Sequence, residues 1–163
     1  MSILLLGSQP AWPAPQATVQ SSGNQDPNGC GFWGDSLTLS VIDQGKKILK
    51  KDYCSAYGKS KVQVITDTKA QNFVLLEYSE GHGTNATTDY LVVYALTKTL
   101  AERARALISF GVGLTSRWFY DYVVETPSVG GLKLVMTLRV WGIPDPGTLP
   151  EASTKIVEVL HTQ

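Results

Sequence analysis

The most constraining feature of this sequence is the alternation of apolar and other residues in several segments. The clearest run covers residues 132–140, where every second residue is apolar: Leu132, Leu134, Met136, Leu138 and Val140. Successive side chains of a β-strand point to opposite faces of its sheet, so this pattern predicts a strand with one face in a core. Residues 37–41 and 118–124 alternate in the same way and predict two further strands of this kind.

Short turn-forming segments separate the predicted strands. They are Gln44-Gly45 and residues 57–60, 67–71 and 127–131. Connections this short join antiparallel neighbours, because parallel strands need a longer crossover. Residues 90–96 are apolar on both faces, which predicts a strand in the middle of the fold. The sequence therefore predicts a mainly β protein of about eight antiparallel strands, either a meander curled into a barrel or two packed sheets.

One segment predicts a helix. Thr99 and Glu102 have the spacing of a capping box, in which both side chains hydrogen-bond to the first free N–H groups of a helix. The apolar residues that follow recur at helical spacing: Leu100, Ala101, Ala104, Leu107 and Ile108. We therefore expect one short helix near residues 99–108.

The N-terminal region differs from the rest of the chain. Residues 1–17 combine the apolar run Ile3–Leu6 with prolines and small residues, which is typical of the end of a signal peptide. Residues 18–35 are a turn-rich leader, and residues 36–163 are expected to form a single β-rich domain. The sequence thus predicts an exported protein, periplasmic or secreted; the alternative is an unstructured N-terminal tail.

The predicted compartment determines the expected redox state of the two cysteines, Cys30 and Cys54. In an oxidising compartment they are expected to form a disulfide, which closes a loop of about 25 residues and contributes roughly 3 kcal/mol. In a reducing compartment they would remain two buried thiols. The predicted disulfide therefore depends on the predicted export.

Composition argues against several classes of function. The formal net charge is zero, so the chain lacks the positive charge that drives nucleic-acid binding. No apolar run reaches the length of about 18 residues needed for a transmembrane anchor. Two histidines and two cysteines without ligand spacing predict no metal site, and no phosphate-loop or dinucleotide motif predicts a cofactor.

Two segments with nearby glycines are the candidate partner-binding residues. The first is Gly81, His82, Gly83, Thr84 and Asn85, and the second is Ser116, Arg117 and Trp118. Loops that project from a rigid sheet often carry binding residues, and arginine and tryptophan are frequent at energetically important contacts. The alternatives are structural: a glycine-rich hairpin loop for the first segment and a core position for Trp118.

An enzymatic alternative centres on His82. This residue lies between glycines beside Glu80 and could serve as a general base in a hydrolase or contact glycan, with Asp89 near enough in sequence to orient it. A cysteine nucleophile would have to stay out of the disulfide, and Ser116 lacks the nucleophile-elbow motif. The sequence therefore favours binding over catalysis.

In overall plan the chain resembles the small β-rich immunity proteins that Gram-negative bacteria export to the periplasm against peptidoglycan-degrading type VI effectors. The resemblance is one of size, export and lack of a catalytic motif over residues 30–160, and it carries no site residues. It implies a protein partner, a toxin or cell-wall hydrolase, whose cleft is blocked by a loop such as Gly81–Asn85 or residues 111–117. A structural component of an envelope assembly is a third interpretation.

Overall fold

The computed structural model describes residues 13–21, 34–56, 60–81, 86–97, 100–112 and 115–161. These residues contain ten strands in two antiparallel sheets, which confirms the mainly β fold and gives packed sheets instead of a barrel. The strands are β1 (Gln16–Ser21), β2 (Gly34–Asp43), β3 (Lys46–Ala56), β4 (Ser60–Thr66), β5 (Asn72–Gly81), β6 (Ala86–Leu96), β7 (Leu100–Val112), β8 (Ser116–Glu125), β9 (Leu132–Gly142) and β10 (Thr154–Val159). Within the described residues, no helix has the length and apolar character of a membrane span.

The smaller sheet has the order β1-β2-β3. On β2, the residues Leu37, Leu39 and Val41 are buried, as their alternation predicts. β1 pairs with β2 along its whole length, although residues 16–21 fall in the predicted signal remnant and leader. This strand was missed because it has only two apolar residues, Ala17 and Val19, which is too few to show a period.

The larger sheet has the order β10-β9-β8-β7-β6-β5-β4 and bends between β7 and β8. These two strands pair only over Ser109–Val112 and Ser116–Phe119, although β7 has 13 residues and β8 has 10. Beyond this short contact β8 leaves β7 and continues alone with β9. The sheet therefore has two parts, β4–β7 and β8–β10, which pack against each other.

Two apolar clusters lie on opposite sides of β5 and β6. Phe73 and Leu75 of β5 pack in the first cluster, with residues of β7, β8, β9 and β10. Val74 and Leu76, the residues that alternate with them, pack in the second cluster against β2 and β3 of the smaller sheet. Burial of both faces places β5 and β6 in the middle layer, as the two-sided apolar pattern of residues 90–96 predicts.

The predicted helix at residues 99–108 is wrong, because Leu100–Val112 forms strand β7. The pairing register between β7 and β6 shifts twice. Arg103 and Ile108, the residues at the two shifts, have no partner residue in the β6 register. Each such bulge adds one residue to β7 and moves the following side chains out of phase with simple alternation. The bulge at Arg103 therefore places Ala101 and Ala104 three positions apart, and Leu107, which is 36% exposed, completes an apparent helical spacing.

Asp67 joins the two parts of the larger sheet at one end. Its Oδ1 accepts hydrogen bonds at 2.8 Å from the N–H groups of Lys69 and Gln71, in the turn between β4 and β5. Its Oδ2 accepts one at 2.6 Å from the N–H of Gly131, before β9, and lies 3.1 Å from Nδ1 of His161, after β10. One buried carboxylate therefore fixes three segments that are distant in sequence.

Candidate functional site

The described residues of the two candidate binding segments lie at the same end of the larger sheet. Gly81, at the end of β5, pairs with Thr87 of β6, which pairs with Gly111 of β7. Gly111 pairs in turn with Arg117 of β8, and Arg117 pairs with Trp141 of β9. A row of neighbouring residues thus crosses five strands and connects the two segments, which the sequence alone did not place together. We call this end of the sheet the loop end.

The tip of the first segment lies outside the described residues. It comprises His82, Gly83, Thr84 and Asn85. On the described side of the loop, Tyr78 donates a hydrogen bond of 3.0 Å from its hydroxyl to Oε1 of Glu80. The pairing of Glu80 with His82 that an enzyme would need therefore stays a prediction.

Arg117 lies across the loop end. Its Nη2 donates a hydrogen bond of 3.0 Å to Oγ1 of Thr87 and lies 3.8 Å from Oδ2 of Asp89. Asp89 in turn accepts a hydrogen bond of 2.5 Å from the hydroxyl of Ser79. A Cβ on Gly111 would come within 3.0 Å of Arg117 Nε, so glycine there leaves room for this side chain. The guanidinium is held in place but remains 38% exposed.

Trp118 is a core residue and is not available to a partner. Its side chain is only 3% exposed and packs in the first cluster against Phe110 and Tyr120, with ring centroids 6.4 and 6.0 Å apart. Trp118 is buried because it alternates with Tyr120 along β8, so both side chains point toward the core. This is the structural alternative that the sequence analysis gave for Trp118. Ser116 is half-buried at the start of β8, where it pairs with Val112 and Gly142.

Three exposed apolar residues near the loop end were missed by the sequence analysis, and a fourth, Val140, which was expected on the core face of its strand, is 51% exposed. Val112 is 48% exposed, Trp141 is 57% exposed and Ile143 is 92% exposed. The signal was present in the run 132–140, because Trp141 and Ile143 fall on the outward phase of that alternation. We call these three residues, together with Arg117, the loop-end patch.

A polar cleft of about 600 Å³ opens where β7 and β8 diverge. Lys61 Nζ lies 3.3 Å from Glu77 Oε1 in its lining, and the Tyr122 hydroxyl of β8 donates a short hydrogen bond to the same oxygen of Glu77. Burial raises the pKa of Tyr122, and the carboxylate of Glu77 raises it further. The hydroxyl therefore stays protonated at neutral pH and acts as a donor that links the two parts of the sheet.

Cys54 lies on β3, where it pairs with Ser36 of β2. Cys30 lies outside the described residues, so the disulfide between them stays a prediction.

The fold and these two features define the chain as an all-β protein with an exposed loop-end patch beside a polar cleft. No protein-family model, curated protein or solved structure matches it.

Proposed function

We propose that this protein is an exported binding protein that inhibits a protein partner through its loop end, as an immunity protein blocks a cell-wall-degrading toxin. The observation that carries the proposal is that the described residues of both candidate segments meet at the loop end, where Val112, Trp141 and Ile143 are exposed near Arg117. Tryptophan and arginine are the residue types most enriched at energetically important contacts between proteins. Clustered exposed apolar residues rimmed by polar ones are typical of an interaction surface.

The geometry suits a steric mode of inhibition. The loop end belongs to the sheet whose two faces carry the main apolar clusters, so its residues are presented by a rigid support. A preorganised surface loses little conformational entropy on binding, which favours tight association. In this proposal the segment Gly81–Asn85 enters the partner's active-site cleft, and Trp141 and Ile143 pack beside it.

Export and the disulfide belong to the same proposal. Cys30 and Cys54 are the two cysteines of the chain, so a disulfide formed in an oxidising compartment would join them. A thiol titration of denatured, unreduced protein from its native source is expected to find no free sulfhydryl. Two reactive thiols in that experiment would refute the disulfide and remove its support for export.

Affinity capture from periplasmic extract tests the function. We expect the tagged protein to retain a cell-wall hydrolase in stoichiometric amount and to inhibit its activity. The variants Trp141→Ala and Ile143→Ala should each weaken capture by tenfold or more, the effect of losing about 1.4 kcal/mol. The matched control is Val129→Ala, an equally exposed apolar residue in the turn at the opposite end of the sheet. Recovery of envelope scaffold proteins alone, or equal losses with the control, would contradict the proposal.

A further inference from the structure

The polar cleft beside the loop end has the features of a second binding site, which shares Arg117 with the loop-end patch but none of its exposed apolar residues. It is continuous with a smaller hollow of about 200 Å³, since both are lined by Lys61, Glu77 and Asp89. A cleft of this size lies within the range of small-molecule sites.

The ionisable residues of the cleft compensate one another. Lys61 lies 3.3 Å from Glu77, and Arg117 lies 3.8 Å from Asp89. The fifth, Asp121, accepts a hydrogen bond of 3.0 Å from Arg139. Since every lining charge has an opposite partner at short range, the cleft offers no uncompensated charge for an ionic ligand. These ion pairs still present further donors and acceptors, which favours a neutral ligand rich in hydrogen-bonding groups.

Ser109 provides a separate indication of a missing polar partner. Its side chain lies in the wall of the cleft and is 3% exposed, and its hydroxyl has no hydrogen-bond partner among the described residues. A buried hydroxyl without a partner costs folding free energy, so such groups are rare unless a ligand or water satisfies them.

Most of the remaining lining is apolar or aromatic, with Ile108 and Val124 beside the aromatic residues of β8. Phe119, Tyr120 and Tyr122 of β8 line one side of the cleft, opposite the polar residues of β4, β5 and β6. Aromatic rings provide apolar surface at little cost in side-chain entropy, and the tyrosine hydroxyls add polar contacts. A ligand that fits must therefore combine many hydroxyl groups with an apolar C–H face.

We propose that the cleft binds a neutral saccharide of one or two pyranose units, held by the ion pairs and Ser109 on one side and by the rings of β8 on the other. A pyranose ring combines the properties that the lining requires: hydroxyls that donate and accept, no net charge, and a face of C–H groups. This site does not depend on the proposed protein partner.

Titration of the ¹⁵N-labelled protein by NMR with cellobiose, maltose and N,N′-diacetylchitobiose tests the site. We expect at least one of these sugars to shift the amide signals of Ser109, Phe119 and Tyr120 in a saturable manner. Sorbitol, which has hydroxyls but no ring face, should not do so. Glucuronate and glucosamine should bind no more tightly than glucose, because the cleft charges are already paired.

The variant Ser109→Ala separates binding from folding. Removal of an unsatisfied buried hydroxyl should leave the midpoint of urea unfolding unchanged or raise it, while the sugar affinity falls about three- to tenfold with the lost hydrogen bond. Ser128→Ala, at an exposed serine in the distant turn, should change neither quantity. The proposal is overturned if none of the three sugars shifts the cleft signals, or if Ser109→Ala binds sugar as tightly as the unaltered protein. Loss of sugar binding in the Trp141→Ala protein would also contradict it.

Discussion

Asp67 provides the sharpest test of what holds the two parts of the larger sheet together. In Asp67→Asn, the amide oxygen can still accept from the N–H groups of Lys69 and Gln71, but the amide nitrogen then replaces Oδ2. That nitrogen would face the N–H of Gly131, which donates to Oδ2 at 2.6 Å in the unaltered protein. A charge-assisted hydrogen bond is lost and a buried donor is left without an acceptor. Each of these effects costs about 1–3 kcal/mol, so we expect the unfolding free energy to fall by about 2–6 kcal/mol.

The loss of unfolding free energy in Asp67→Asn depends on pH, because the carboxylate of Asp67 stabilises the fold in its ionised form. Burial alone would raise the pKa of Asp67, but the hydrogen bonds from Gly131, Gln71, His161 and Lys69 outweigh it and lower the pKa below its ordinary value. A lowered folded-state pKa means that the stabilisation is present above the unfolded-state pKa of about 3.9 and disappears as the pH falls through the folded-state value. The difference in unfolding free energy between the unaltered protein and the Asp67→Asn variant should therefore shrink on acidification below about pH 4.

Urea unfolding followed by tryptophan fluorescence measures both effects. The matched control is Asp145→Asn, which alters a similar turn: Asp145 Oδ1 accepts a single bond of 2.9 Å from Gly147 N–H, but it is exposed. Asparagine is as good a residue as aspartate at such a position, so this change should cost at most about 0.5 kcal/mol. Equal losses in the two variants, or a loss at Asp67 that does not fade in acid, would refute the reasoning.

Two further predictions concern packing and backbone geometry. Trp118→Ala should lower the unfolding free energy by about 3–5 kcal/mol, because it leaves a large cavity in the core. The exposed Trp141 is the control, and Trp141→Ala should change the unfolding free energy by no more than about 0.5 kcal/mol. Similar losses for the two variants in urea unfolding would place Trp118 outside the core. Gly131→Ala should cost more than about 3 kcal/mol, because a Cβ there lies 2.3 Å from the carbonyl oxygen of Val159 at a φ of +84°. Gly45→Ala, at a φ of +76° with no atom within 4 Å of the added Cβ, should cost only about 1–2 kcal/mol, and a thermal melt that ranks the two in the opposite order would contradict the geometry.

The strands that were predictable from sequence are those whose alternation is long and regular. Residues 132–138 and 37–41 show a period of two because one face of each strand meets a core, although the apolar alternation of the first continues to the exposed Val140. Strand β7 failed this test for a local reason: the bulge at Arg103 changes the phase of burial, and the exposed Leu107 completes an apparent helical spacing. Strand β1 failed because it has few apolar residues and owes its conformation to pairing with β2.

The candidate site was predictable only in part. Its two segments were recognised from their glycines and from Arg117, and the structure places the described ends of both at the loop end. The polar cleft was not predictable, because Glu77, Asp89 and Tyr122 are distant in sequence and none belongs to a motif. The exposure of Trp141 was predictable, because Trp141 falls on the outward-facing positions of the alternation in β9. It was overlooked because it directly follows an apolar run that was assigned to the core.

The sequence by itself determined the mainly β class, the antiparallel connections and most of the core, because alternation and turn residues depend on near neighbours in the chain. Tertiary structure alone decided where the larger sheet bends, that residues 100–112 are a strand, and which side chains meet at the loop end and in the cleft. Those features depend on pairing register and on bulges, which are set by contacts between strands far apart in sequence. A period within one strand reports which face is buried, but it does not report which distant residue lies opposite.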